Sequence, residues 1–163
     1  MFIRNTTLLS LAHNFSRFTG LSESIVIPFY IISAMVIIIW IALRFYQREK
    51  IYPTLFPGYA AEAYRNFGNL LDFASLALLV TPSTWDHHYV IAVPLALWAI
   101  AVHGKNKPGW VGLAIVSIFV LPPFDIFPFS YLRMFGVIAL LVLTSPNIHL
   151  KLDDDIKDTT ASL

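Results

Sequence analysis

The chain has 163 residues, 57% hydrophobic and 13% charged, with a formal net charge of +1 and no cysteine. Soluble domains run nearer roughly 45–50% apolar and ~25% charged, and a chain this short has too little interior to hide the surplus. A lipid bilayer is therefore the expected partner, disulfides and thiolate metal sites are excluded, and the scattered Lys and Arg offer no patch for nucleic acid.

Residues 2–18 place Leu8, Leu11, Phe15 and Phe18 at spacings of three and four, the pattern of an amphipathic helix. It is too short and polar to span, and His13, Asn14 and Arg17 break up the apolar run that a signal peptide would need. An interfacial helix lying on the bilayer is expected. Residues 24–43 then run without a charge, about 30 Å as a helix, which matches the hydrocarbon core. Pro28 falls in the first turns, and Arg44, Arg48, Glu49 and Lys50 close the span.

Pro53 and Pro57-Gly58 signal a turn. A second span is expected over 66–85, with Asp72 inside it. An intramembrane acid is a functional candidate; the alternatives are that it meets headgroups or pairs with Asn69 or a neighbouring helix. Further spans are expected over 88–102, 110–124 and 134–148, separated by a basic turn at 103–109 and by an aromatic hairpin around Pro122, Pro123 and Pro128. These three are short, and each borrows interfacial aromatics to reach across. The acidic tail, 149–163, is expected to be disordered. The fold class is thus all-α, an integral membrane helical bundle of about five transmembrane helices with an N-terminal interfacial helix, residues 1–148 forming one membrane domain.

With five spans the connecting segments alternate between two sides. One set carries Arg44, Arg48, Lys50, Arg65, Lys105, Lys107, Lys151 and Lys157; the other carries Arg4, Arg17 and Arg133. The basic excess places the first set, with the C-terminus, in the cytoplasm. The turn at 82–88 then faces the non-cytoplasmic side of what is expected to be a prokaryotic plasma membrane.

That turn holds Ser83, Trp85, Asp86, His87, His88 and Tyr89. Adjacent histidines on a helix diverge by about 100° and do not readily share a metal. Imidazoles do suit an anion, since they donate hydrogen bonds to phosphate oxygens near neutral pH. Trp85 and Tyr89 have flat amphipathic rings fit either for a sugar face or for the headgroup zone. A plain aromatic belt remains the alternative. No metal or cofactor is expected.

The run Thr81-Pro82-Ser83-Thr84-Trp85-Asp86-His87-His88, followed by an apolar helix with Pro94, resembles the Ser-Pro-x-Ser-Trp-x-His-His element of glycosyltransferase family 87. These are GT-C-type membrane enzymes that use polyprenyl-phosphate-mannose. Thr81 and Thr84 stand where Ser is usual, and Asn5-Thr6-Thr7-Leu8 with Arg17 loosely echoes a second family segment. The resemblance implies a hexosyltransferase, most simply a mannosyltransferase, working on the non-cytoplasmic face with a polyprenyl-phosphate sugar donor. His87 and His88 would contact donor phosphate or acceptor, with Ser83, Trp85, Asp86 and Tyr89 shaping the pocket. It covers residues of about 5–148 and aligns with the C-terminal part of a family member. The earlier helices and the loop bearing the catalytic carboxylate have no counterpart, so a fragment or split product inactive alone is expected, its N-terminal half encoded separately. The alternatives are a non-catalytic membrane scaffold or partner subunit, and a small transporter using Asp72 and the histidines.

Overall fold

The computed structural model describes residues 7–55, 58–81, 86–103, 107–121 and 127–146. The 149–163 tail, Ser83 and Trp85 lie outside the described residues, as do the side chains of Asp86 and His87. Among the described residues there are six α-helices and no strand, so the all-helical expectation is met.

Helix α1 covers Leu8–Thr19. Thr7 caps it: its side chain accepts from the Ser10 backbone N–H at 3.2 Å, and Ser10 Oγ accepts from the Thr7 N–H at 3.1 Å. This reciprocal arrangement satisfies two donors that a helix start leaves open. Gly20, at φ 71°, ends the helix in the left-handed conformation that favours glycine.

A short 3₁₀ turn at Glu23–Ile25 leads into α2, Val26–Leu55. Arg44 and Arg48 do not end this helix, as the charge pattern suggests; it continues through them and through Pro53. Helix α3, Tyr59–Val80, returns antiparallel and packs along α2. Its end has a local cause. Thr81 precedes Pro82 and takes the extended ψ of 131°, because a proline disfavours helical backbone in the residue before it.

After Thr81 a 3₁₀ segment, Asp86–Ala92, packs on α3 and on α4, Val93–His103. Helix α5, Pro108–Ile115, begins on a proline whose missing N–H costs nothing at that position. It widens into a π-helical turn at Val116–Val120, closed by the Leu121 N–H on the Val116 carbonyl at 3.0 Å. Leu121, before Pro122, is extended for the same reason as Thr81. A 3₁₀ turn at Phe129–Tyr131 starts α6, Leu132–Leu143.

Only Glu23–Pro53 is long and apolar enough, by length and composition, to cross a bilayer among the described residues. The stretches His88–Val102, Pro108–Val120 and Phe129–Leu143 are apolar but shorter. Their core is tight. Leu79, Ala99, Val137, Leu140 and Leu141 are wholly buried, and α6 packs against α5 and its π turn through Gly136. A Cβ at Gly136 would stand 2.6 Å from Ile118 and 2.9 Å from the Ala114 carbonyl. Small residues at such contacts let two backbones approach closely.

This geometry separates two glycines. Gly136→Ala is expected to lower stability by about 1–3 kcal/mol through overpacking. Gly112→Ala meets open space on α5 and should gain about 0.5–1 kcal/mol from reduced chain entropy. Thermal unfolding of both variants in one detergent checks the contrast.

Candidate functional site

Two polar clusters lie at opposite ends of α6. The larger joins α2, α3 and α6. Asp72, fully buried on α3, receives Arg44 Nε at 2.7 Å on Oδ2 and Arg44 Nη2 at 3.0 Å on Oδ1, a two-pronged pair. Arg48 Nη1 adds a 2.7 Å bond to Oδ2 and a 3.1 Å bond to Asn69 Oδ1. Both arginines are only 1% exposed. They share a face because they are four residues apart on one helix.

Two guanidinium groups on one carboxylate leave an excess positive charge. The structure offsets it with the C-terminus of α6, where carbonyls lack helical partners and the dipole is negative. Arg44 Nη1 donates to the Leu141 carbonyl, and Nη2 donates to the Thr144 carbonyl at 3.2 Å. The Trp40 ring lies 5.6 Å from the Arg44 guanidinium carbon, within cation–π range. Gly68 makes room for the second arginine, since a Cβ there would be 2.7 Å from Arg48 Nε.

Of the alternatives open for Asp72, the pairing one is observed: it contacts a neighbouring helix, with Asn69 joining through Arg48. An acid sealed from solvent and held by three hydrogen bonds from α2 is suited to fastening helices. Arg44 and Arg48 also lose their weight as loop charges. They sit inside α2 and are committed to Asp72, so the cation count behind the orientation falls to six against three.

The second cluster lies where α1 meets the start of α6. Asn14 Nδ2 donates to Tyr131 Oη at 2.7 Å, and Tyr131 Oη donates to Ser10 Oγ at 3.3 Å. Thr7, Ser10, Asn14 and Tyr131 are all buried. Helix α1 therefore turns its polar stripe inward and leaves Phe15 and Phe18 exposed. Phe15 stacks with Phe29 at 6.0 Å, and Phe18 meets Phe127 at 5.3 Å.

The described part of the expected site, from Asp86 onward, follows the end of α3. Asp86, His87, His88 and Tyr89 lie in the 3₁₀ segment that packs on α3 and α4. The His88 side chain is half-buried and that of Tyr89 is buried in the core. Sequence reasoning missed Asn14 and Tyr131. The signal for Asn14 was available: Thr7, Ser10 and Asn14 recur at spacings of three and four, a polar stripe as regular as the apolar one. Nothing local marks Tyr131. No group of three or more His, Cys, Asp or Glu that could hold a metal occurs among the described residues.

The fold and these clusters define an all-helical chain with charge locked inside it. A stretch of 58 residues is 36% identical to a polyprenol-phosphate-mannose-dependent α-(1-2)-phosphatidylinositol pentamannoside mannosyltransferase of Mycobacterium tuberculosis (strain CDC 1551 / Oshkosh). That stretch is 31% of this chain and 14% of the mycobacterial protein, so the likeness is to part of a glycosyltransferase. No family model matches the chain, and no solved structure matches it.

Removing one partner of a buried ion pair costs about 3–5 kcal/mol because the other charge is stranded. Asp72→Asn, which strands two, is expected to lose at least that much. Adding Arg48→Met to Asp72→Asn should recover part of the loss, and Gly68→Val should weaken the protein in the same direction. Melting curves of the purified variants in detergent provide the measurement.

Proposed function

We propose that the chain is the membrane-embedded part of a glycosyltransferase that moves a hexose, in the first instance mannose, from a polyprenyl-phosphate donor to an acceptor. The likeness to the mycobacterial mannosyltransferase carries this reading, and the Trp85-Asp86-His87-His88 element supports it.

The surface favours a bilayer as surroundings. Along α2, Ile27, Ile31, Ile32, Met35, Val36, Ile39 and Leu43 are each more than half exposed. Helix α1 likewise hides hydroxyls and shows phenyl rings. A surface of this kind is costly against water and favourable against hydrocarbon. In this reading residues 1–148 form the membrane domain, and the short apolar helices pack beside the long one. The His-bearing end faces the non-cytoplasmic side, opposite the acidic C-terminal tail.

Transfer of a sugar from a lipid phosphate leaves negative charge on the departing phosphate, and the acceptor hydroxyl must give up its proton. Donors preorganised toward the departing oxygens lower the barrier most. His87 and His88 fill this role, or contact the acceptor, with Ser83, Trp85, Asp86 and Tyr89 shaping the pocket. A general base for the acceptor is a separate requirement. Asp72 does not meet it, because it is buried against two arginines inside the helix pair. The carboxylate is assigned to a segment or partner chain outside the region of likeness. That spent acid also favours a second reading, in which the chain is a non-catalytic membrane subunit beside such an enzyme.

The test replaces the gene at its own locus by His87→Ala or His88→Ala and assays membranes with polyprenyl-phosphate mannose. Transfer is expected to fall about 10²-fold or more, the usual cost of losing one charge-stabilising donor. Equal transfer in wild type and both variants would remove the histidines from the chemistry and leave the subunit reading.

A further inference from the structure

Helix α1 is held in place with little apolar burial. It gives Leu8 to the main buried cluster, and Leu11 packs on that cluster. Its other buried side chains are Ser10, Ala12, Asn14 and Ser16. The stack of Phe15 on Phe29 and the short link at 20–25 set α1 antiparallel along the first turns of α2. On its other side the Asn14 amide and the Ser10 hydroxyl meet Tyr131, just ahead of α6. The helix thus bridges α2 and the turn that starts α6.

This docked position leaves polar atoms unsatisfied. Asn14 Oδ1 and His13 Nδ1 are buried with no hydrogen-bond partner among the described residues, which is unfavourable away from water. A second position relieves both. At about 100° per residue, His13, Arg17, Ser10, Asn14 and Thr7 fall on one half of the helix, and Phe18, Leu11, Phe15, Leu8 and Ala12 on the other. A helix of that pattern is stable on a bilayer surface, its polar half in water and its apolar half in lipid. The link permits the exchange. Residues 17–25 are exposed throughout, and the ion pair across them, Arg17–Glu23 at 3.9 Å, is exposed on both sides and therefore weak. The Ser16 carbonyl accepts from the Leu21 N–H at 3.0 Å, so the pivot falls beyond it, at Ser22.

We propose that α1 is a strap with two positions, docked between α2 and Tyr131 or released onto the membrane surface about a pivot at Ser22. The proposal rests on the membrane reading of the chain and not on the transfer chemistry. Docked, the strap closes the seam between α2 and the start of α6. Released, it uncovers Tyr131 and gives its unsatisfied atoms to water. The Tyr131 hydroxyl is the latch, because it accepts from Asn14 and donates to Ser10 at once.

The chain has no cysteine, so Leu9→Cys and Leu70→Cys place spin labels on the strap and on the exposed face of α3. Their separation is read by pulsed electron resonance in phospholipid nanodiscs. The strap is about 18 Å long, and release lengthens the separation by about half that length or more. Tyr131→Phe keeps the ring and removes both latch bonds, so the ratio of released to docked chains should rise about tenfold. Tyr30→Phe removes a hydroxyl bonded to the Val80 carbonyl instead and should leave the ratio unchanged. One unmoved separation in all three proteins, or an equal rise in both variants, overturns the strap. If Tyr131→Phe does not fold, Tyr131→Leu is read by the same criteria. A chain that fails to enter nanodiscs overturns the membrane reading and the strap with it; a chain that enters them and shows no second separation overturns the strap alone.

Discussion

The arrangement of α2, α3 and α6 depends on one buried electrostatic contact, Asp72 between Arg44 and Arg48. Taken alone, two cations on one anion out of water would be a poor bargain, since desolvation rivals the attraction. The carbonyls ending α6 change the balance. Arg44 spends its remaining donors on Leu141 and Thr144, so the excess charge is placed where a helix end is already negative. The same contact ties residues about a hundred positions apart in the chain, and neither the α2–α3 hairpin nor α6 can satisfy it separately. Asn14, Tyr131 and Ser10 repeat the device in neutral form at the opposite end. Apolar packing lies between the two. When the surroundings are themselves hydrocarbon, burying another leucine selects little, and a polar contact that must be made selects a great deal.

Part of the chain's punctuation is local. Pro82 and Pro122 end helices one residue ahead of themselves, and Pro108 opens one, because proline acts through local sterics that need no tertiary information; the spans expected over 66–85 and 110–124 nonetheless run past Pro82 and Pro122 and begin after Pro108. The α2 boundary was not legible for a related reason. Arg44 and Arg48 follow an uncharged run, and a cation in that place ordinarily marks the water's edge. Their four-residue spacing, facing an acid on the next helix, was the available sign that they turn inward. It is also the spacing of any solvated helix face, so the sequence alone leaves the two outcomes degenerate. Helix α1 shows the same degeneracy. Its polar and apolar stripes are both regular, and which one faces inward depends on the medium outside.

The candidate site was legible in a different sense. Trp85-Asp86-His87-His88 stands out by composition and by resemblance, whereas the placement of Asp86–Ala92 beside α3 and α4 comes from the fold. The Asn14–Tyr131 contact lies outside any motif, since a tyrosine at a helix start gains meaning only when another helix brings an amide to it. In the proposed reading, chemistry and cohesion fall on separate residues. The histidines follow the end of α3; the arginine cluster meets the helix at Asp72, about two turns earlier. Changes at the arginine cluster act through stability.

The two regions are nonetheless joined through α3. Asp72 and Phe73 are neighbours in sequence, so the carboxylate fastened to α2 and the exposed Phe73 ring stand about 100° apart on the same helical turn. Fixing Asp72 against Arg44 and Arg48 sets the register of α3 along α2, and that register determines where Tyr30 meets Val80. A slip by one turn would move α3 by about 5.4 Å along α2 and would separate the Tyr30 hydroxyl from its carbonyl. The end of α3, and with it the start of the segment that bears the histidines, is thus held by a charge contact about two turns away.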